Sequence, residues 1–76
     1  MKTYAYRTII VPDEDGYHGF APLLRGVHTF GKTIKETKKN LEEAIRCHLE
    51  GLVKDNITPP REQDSLELIQ TFTINA

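Results

Sequence analysis

The acidic run Asp13-Glu14-Asp15 is the clearest candidate for chemistry in this sequence. Neighbouring carboxylates can hold Mg²⁺ or carry out acid–base catalysis. This run, however, precedes Gly16 between two strand-like segments, where acidic residues usually form a solvated turn. A metal-dependent nuclease site also needs carboxylates from separate elements, and the interiors of the first and last predicted strands contribute only Glu67. We therefore predict no catalytic residue and no metal site.

The histidines His18, His28 and His48 and the single cysteine, Cys47, are the other reactive side chains. Their spacing matches neither a His-x-x-x-His pair nor a paired-cysteine zinc motif. His18 and His28 fall on neighbouring short strands and could face each other. A metal or catalytic pair is possible there, but contact with a partner or simple exposure to solvent is favoured. Cys47 falls roughly opposite Ile34 on the helical wheel and is predicted to be inert. No cofactor is predicted.

Lysines crowd the start of the predicted helix. The helix dipole favours acidic residues at this end, so the arrangement opposes helix stability slightly. A solvated surface is the favoured interpretation, and a site for phosphate or an acidic partner is the alternative. The four residues are Lys32, Lys35, Lys38 and Lys39.

Length and composition limit the class of protein. A chain of 76 residues has room for a single domain, residues 1–76, with a thin core that self-association would help. Hydrophobic residues make up 38% and charged residues 28%, which is typical of a globular protein. The net charge of −1 predicts no general attraction to nucleic acid or membrane. No apolar run predicts a membrane span or a signal peptide, so we expect a cytoplasmic protein.

Strand-like segments alternate with turn signals along the chain. Residues 3–11, 17–21 and 27–30 are rich in aromatic and β-branched residues and predict three strands. Gly16, in the first turn, is expected to need a positive φ, and Pro22 ends the second strand. Residues 66–74 predict a fourth strand, with Leu66, Leu68, Phe72 and Ile74 on one face.

One helix is predicted between the third and fourth strands. Thr33 and Glu36 have the spacing of a capping box, in which each side chain can bond the backbone amide of the other residue. Asn56 and Pro59-Pro60 predict its end. The apolar residues with helical period are Ile34, Leu41, Ala44, Ile45, Leu49 and Leu52.

The first strand is apolar on both sides. Tyr4, Tyr6 and Ile10 point to one side of the strand, and Ile9 and Val11 point to the other. A single helix covers only one face of a sheet, so the other face is either covered by another chain or carries scattered surface apolar residues. Both interpretations are open at this point.

Residues 15–36 (DGYHGFAPLLRGVHTFGKTIKE) resemble the HicB antitoxin family. That family combines an acidic-Gly-Tyr turn, a strand ending in Pro, a Gly before a short strand ending in Thr-x-Gly, and Thr-x-x-Glu at the start of a helix. The order of strands and helix is also similar over most of the chain. The resemblance implies a partial ribonuclease-H-like domain that dimerises and masks HicA, a small mRNA-nuclease toxin.

The resemblance and the residue patterns together predict an α+β fold in the order β-β-β-α-β: an antiparallel sheet of three to four strands with one main helix packed on one face. We expect a HicB-like antitoxin, not an enzyme, with a HicA-type toxin as partner and a homodimer or higher homo-oligomer. Many family members carry a C-terminal DNA-binding domain; none is predicted within this sequence, so DNA binding by this chain alone is not expected. The predicted partner-binding residues are Tyr17, His18, Phe20, Leu23, Leu24, Arg25 and His28.

Two other functions stay open at the level of sequence. One is a stand-alone regulatory or scaffold dimer of the same fold without a toxin. The other is a degenerate nuclease, which predicts that Asp13, Glu14 or Asp15 binds a divalent metal ion. We rank the antitoxin first and the nuclease last.

Overall fold

The computed structural model describes residues 2–64, 66 and 68–75. Three strands come first, β1 (Ile9–Asp13), β2 (Gly16–Phe20) and β3 (His28–Gly31), and one long helix, α1 (Ile34–Lys54), follows them. The strands form an antiparallel sheet in the order β1-β2-β3. The helix packs on one face of this sheet and contacts each of the strands. The predicted α+β class, with one main helix on an antiparallel sheet, is confirmed.

The first strand is shorter than predicted. Residues 3–11 carry the pattern of a strand, but β1 begins only at Ile9. Ile9 pairs with Phe20, the last residue of β2, so residues 3–8 continue past the end of their neighbour. Tyr4 and Tyr6 still stack, with ring centroids 6.4 Å apart. Residues two apart share a side only when the chain is extended, so this segment keeps a strand-like form.

The predicted fourth strand is not supported. Leu66 and residues 68–74 belong to no strand, and Glu67 lies outside the described residues. Four apolar residues of the segment share one face of an extended chain, but a strand is stable only where neighbouring strands complete its hydrogen bonds. In this structure the segment instead leaves large apolar side chains in solvent: Leu66, Leu68, Ile69, Phe72 and Ile74.

β1 and β2 form the predicted hairpin, in which Asp13 pairs with Gly16. The expectation of a positive φ at Gly16 is wrong, because Gly26 is the glycine with that conformation in the described part of the chain. Glycine is needed at position 16 because the structure leaves no room there for a side chain. A Cβ at this position would collide with the carbonyl oxygen of Gly31 on β3.

Small residues allow α1 to approach the sheet closely. Thr37 is fully buried, and a Cβ on Gly31 would lie 2.5 Å from its Oγ1 atom. Leu41 packs over Gly19, where an added Cβ would lie 3.3 Å from its side chain. The Thr37 hydroxyl donates to the carbonyl oxygen of Thr33 at 2.8 Å, which satisfies its hydrogen bonding inside the protein. The sequence pattern of large apolar residues did not reveal this contact.

Thr33 caps the start of α1 as predicted, but the first apolar residue of the helix, Ile34, is not buried against the sheet. Thr33 Oγ1 accepts a hydrogen bond from the backbone N–H of Glu36 at 3.0 Å. Ile34 is the first of the apolar residues with helical period in the sequence, yet it is 55% exposed. The close contact at this end is made by Thr37, and the buried apolar residues of the helix begin at Leu41.

The helix ends in a Schellman motif at Asn56, which has a φ of 60°. The N–H of Asn56 donates to the carbonyl oxygen of Val53 at 3.0 Å. The N–H of Ile57 donates to the carbonyl oxygen of Leu52 at 2.8 Å. The predicted stop at Asn56 is therefore confirmed, and the motif turns the chain toward Pro59 and the N-terminal segment.

The connection between β2 and β3 supplies most of the core. Ala21, Leu24 and Val27 are three residues apart, and all three are buried with Leu41. The N–H of Leu24 donates to the carbonyl oxygen of Ala21 at 3.0 Å, and that of Val27 to the carbonyl oxygen of Leu24 at 3.3 Å. These turns direct every third side chain inward and leave the intervening residues outside.

Candidate protein-interaction surface

The sheet has one face toward α1 and one face open. Residues that pair across antiparallel strands point to the same side. The registers of both strand pairs therefore place six side chains together, facing away from the helix. We call this set the open sheet face: Ile9, Val11, His18, Phe20, His28 and Phe30.

An imidazole pair lies at the centre of the open sheet face. His18 Nε2 and His28 Nδ1 are 2.9 Å apart, so one ring donates a hydrogen bond to the other. Their rings are also nearly parallel, with centroids 5.1 Å apart and an angle of 13° between the planes. This confirms that the two histidines face each other, and each ring keeps a second nitrogen that this bond does not use.

Phenylalanines flank the histidine pair on both sides. The ring of His18 stacks on Phe30, with centroids 5.1 Å apart, and on Phe20, at 5.3 Å. Phe20 also stacks on His28 at 5.9 Å. Ring contacts of this kind hold the four side chains in one arrangement before any partner arrives, which lowers the entropy cost of binding.

The open sheet face remains in contact with solvent. Phe30 is 62% exposed and Val11 is 38% exposed, while His28 is also exposed. Aromatic residues that share a rigid surface with hydrogen-bonding groups are typical of protein interfaces. In residues 2–64, 66 and 68–75, no group of three or more His, Cys, Asp or Glu side chains could hold a metal ion.

The structure brings together three of the predicted partner-binding residues, His18, Phe20 and His28. Tyr17 alternates with His18 and so points to the helix side of the sheet, beside the acidic turn. Leu24 is only 2% exposed and belongs to the core, so its side chain is not at the surface. Its neighbours in the connection, Leu23 and Arg25, are exposed.

Sequence reasoning missed Ile9, Val11 and Phe30 as members of this surface. The aromatic residues of the sheet were expected to be mostly core. The signal that could have placed them is register, because Ile9 pairs with Phe20 and His18 pairs with Phe30. Such pairing is not visible in one strand's alternation alone.

The acidic turn and Cys47, the other candidates for chemistry, lie apart from the open sheet face. The acidic residues Asp13, Glu14 and Asp15 are exposed, and the Asp13 carboxylate accepts the backbone N–H of Glu14 at 2.8 Å. This bond is a local turn contact. Cys47 is exposed on α1, as its position on the helical wheel predicts.

A second set of contacts ties the N-terminal segment to the chain that follows α1. The Tyr6 hydroxyl donates to the carbonyl oxygen of Pro60 at 2.5 Å, and the Arg61 guanidinium lies 4.6 Å from the centre of the Tyr4 ring. Burial raises the pKa of Tyr6; Tyr4 and Glu62 raise it further, while Arg61 lowers it. This contact fixes where the C-terminal segment leaves the body of the protein.

Comparisons with known proteins identify a family to which this sequence is similar. Residues 6–73 match the family model described as the HicB-like antitoxin of a bacterial toxin–antitoxin system. No helix in the described part of the chain is long and apolar enough to cross a membrane.

Relatives extend over most of the chain. A UPF0150 protein of Thermoplasma acidophilum is 48% identical over 58 residues, which cover 75% of this chain and 84% of the relative. A UPF0150 protein of Synechocystis is 37% identical over 62 residues, which cover 80% and 78%. No solved structure matches the chain significantly. Because the family model spans residues 6–73, the chain belongs to the HicB-like antitoxin family.

Proposed function

We propose that this chain neutralises a small HicA-type mRNA-nuclease toxin by binding it with the open sheet face. The activity is steric masking, which needs a complementary surface and no reactive group. Membership of the HicB-like antitoxin family supports the general role. The observation that carries the proposal is the stacked cluster of His18, Phe20, His28 and Phe30, which no other element covers in the described part of the chain.

The chemistry of the cluster suits a protein partner. A flat, rigid apolar surface gains free energy when another protein removes it from water. The histidine pair supplies hydrogen-bonding groups in the middle of that surface, where an interface needs a few well-placed polar contacts. Side chains near the centre of an interface usually contribute most of its affinity. We therefore place the main contacts at Phe30, Phe20 and the two histidines.

The border of the interface extends beyond the cluster. Ile9 and Val11 lie on the same face, and the exposed residues Leu23 and Arg25 lie on the connection after β2. Tyr17 lies on the central strand, β2, and points to the other side of the sheet, so we assign it a secondary role. Leu24 acts from within the core by holding this connection in place.

The proposal includes a cellular context. A chain that blocks an mRNA nuclease must meet it where mRNA is translated, so we place the protein in the cytoplasm. We also propose that residues 1–76 act as one domain and that the chain self-associates. A thin core favours association, because each partner covers apolar surface that a domain of this size cannot bury alone.

Co-expression with the small protein encoded beside this gene tests the proposal. We expect rescue of growth and co-purification with the wild-type chain, and loss of both with Phe30→Asp. Ile34→Asp is the matched control, because Ile34 is an apolar residue of similar exposure, 55%, on the helix and away from the open sheet face. If Phe30→Asp still protects cells and binds the neighbouring protein, the open sheet face is not the toxin-binding surface.

A further inference from the structure

His18 and His28 bring ring nitrogens from two strands to one point of the open sheet face. His18 Nε2 and His28 Nδ1 are 2.9 Å apart, and His28 is exposed to solvent. The imidazole nitrogen is the side-chain ligand that Zn²⁺ and Cu²⁺ share most often in proteins. Two such nitrogens at one accessible point provide half of the four ligands that Zn²⁺ takes.

The separation of the two nitrogens is close to that of two ligands on one ion. Zn²⁺ binds imidazole nitrogens at about 2.0–2.1 Å in tetrahedral geometry, which places two such ligands about 3.3 Å apart. Starting from 2.9 Å, the rings need to separate by only about 0.4 Å to admit the ion. Rotations of the two side chains that turn both nitrogens toward one point supply this change.

Chelation requires a lone pair on both nitrogens. In the free chain, one of the two carries the proton of the hydrogen bond and the other accepts it. A neutral imidazole exchanges its proton between its two nitrogens through water, so the donor ring also presents a lone pair in its other tautomer. The neutral pair therefore binds an ion without a net loss of protons, because each ring keeps its proton on its second nitrogen.

The phenylalanines hold the two ligands in place before an ion arrives. His18 stacks on Phe30 and on Phe20, with centroids 5.1 and 5.3 Å apart, and Phe20 also stacks on His28 at 5.9 Å. These contacts restrict the orientations of both rings. A site with restricted ligands pays less entropy when it binds, so the same two nitrogens bind more tightly here than on a mobile loop.

The charge around the pair favours a cation. The other members of the open sheet face are apolar, and Asp13 continues the same side of β1 two residues after Val11. Val11 pairs with His18, so Asp13 lies diagonally across from His18, at about 7–8 Å between the backbones. That distance makes Asp13 a nearby negative charge that attracts the ion without binding it directly.

We propose that His18 and His28 chelate one Zn²⁺ ion through Nε2 and Nδ1, with water completing the tetrahedral shell in the free chain. Two protein ligands make an open site, which agrees with the finding that residues 2–64, 66 and 68–75 hold no metal-binding group of three or more His, Cys, Asp or Glu side chains. The sequence predicted no metal site because strand register, and not spacing along the chain, brings the ligands together. The proposal concerns the free chain and does not depend on toxin binding.

Isothermal titration calorimetry with zinc chloride tests the proposal on the purified full-length chain, without an affinity tag and without toxin. The wild type is expected to bind one Zn²⁺ per chain with micromolar affinity. His18→Gln should weaken binding by about 100-fold or more, because chelation by two linked ligands is lost. Its amide keeps a hydrogen-bonding group beside His28 but is not a zinc ligand, so the loss reports chelation rather than the fold.

Cys47 and His48 on α1 supply the matched controls, because they carry the same ligand types away from the open sheet face. Cys47→Ser and His48→Ala should each bind Zn²⁺ as the wild type does. Circular dichroism of every variant checks the fold. If His18→Gln keeps the wild-type affinity, or if the wild type does not bind Zn²⁺ at millimolar concentration, the histidine pair is not a metal site.

Electron paramagnetic resonance with Cu²⁺ in place of Zn²⁺ identifies the ligands. The wild type should show coupling of the copper electron to two imidazole nitrogens, and His28→Ala should show coupling to one. A wild-type signal from a single imidazole would contradict chelation by the pair. Because both measurements omit the toxin, their failure would leave the test of toxin neutralisation unaffected.

Discussion

His18 on β2 and His28 on β3 share a hydrogen bond of 2.9 Å on a surface that faces solvent. Exposed imidazoles usually bond to water, and a direct bond between two of them requires that the backbone hold both rings in place. Here the diagonal position across two antiparallel strands brings the rings together, and Phe20 and Phe30 stack against them. The pair is thus built into the sheet before any partner binds.

The interaction between His18 and His28 should be measurable as a coupling energy in the free energy of unfolding. We expect His18→Ala and His28→Ala each to lower the free energy of unfolding, and the double variant to lose less than the sum of the two. The coupling energy should be ~1 kcal/mol, the usual net value of one hydrogen bond. Urea denaturation of the four proteins measures it. His48→Ala combined with His28→Ala is the control, since His48 lies on α1 and should show no coupling.

Gly31 should tolerate no side chain. A Cβ there would lie 2.5 Å from Thr37 Oγ1 and 2.6 Å from the Thr37 backbone nitrogen. Because neither the sheet nor the helix start can move easily, we expect Gly31→Ala to cost about 3 kcal/mol or more of unfolding free energy. Thermal and urea denaturation measure this loss.

Gly51 provides the matched control for Gly31. It lies within α1, and a Cβ there meets no atom within 4 Å. Gly51→Ala should raise the free energy of unfolding by ~1 kcal/mol, because alanine favours the helix. Similar effects of the two substitutions would contradict the close packing of α1 on the sheet.

The Schellman motif at Asn56 makes a third prediction. The φ of 60° suits glycine and asparagine and opposes β-branched residues. Asn56→Gly should leave the unfolding free energy unchanged or raise it slightly, while Asn56→Val should lower it by ~1–2 kcal/mol. Chemical denaturation and the helical signal in circular dichroism measure both. Equal stability of the two variants would show that the helix does not end in this conformation in solution.

Ionisation of Tyr6 should lower the stability of the folded protein at alkaline pH. Burial, first of all, raises the pKa of its hydroxyl in the folded state. A group with a raised folded pKa contributes fully below its unfolded pKa, which is about 10, and the contribution is lost as pH rises from there through the folded value. We expect unfolding free energy to fall above pH 10 more steeply in the wild type than in Tyr6→Phe.

The same substitution should also cost ~1 kcal/mol at neutral pH, because it removes the hydrogen bond to Pro60. Urea denaturation between pH 7 and 11 measures both effects. Tyr17→Phe serves as the control, because Tyr17 lies beside the acidic turn and is not among the groups that shift the pKa of Tyr6. If Tyr6→Phe and the wild type lose stability in parallel above pH 10, Tyr6 is not the group responsible.

The sequence predicted those parts of the fold that depend on local signals. Thr33 and Glu36 located the start of the helix, Asn56 located its end, and proline and glycine separated the three strands that form. These residues act through their own backbone geometry, so a single sequence is enough to interpret them.

The parts that were missed depend on contacts between distant residues. Thr37 is buried only because Gly31 faces it, and Gly16 is needed only because Gly31 passes close by. Phe30 and Val11 join the histidines through strand register, which no local pattern specifies. Residues 66–74 have the pattern of a strand, but whether they form one depends on a neighbour outside the local sequence.

The thin core has a consequence for how long the protein survives. Among the described residues, the buried apolar side chains are Ala21, Leu24, Val27 and Leu41. A chain with so little interior unfolds readily when alone, and each ligand of the native state adds stability according to its concentration and affinity. Occupied molecules will persist, and unoccupied molecules will be the first to reach cellular proteases. Turnover of this chain will therefore report how much of it is bound.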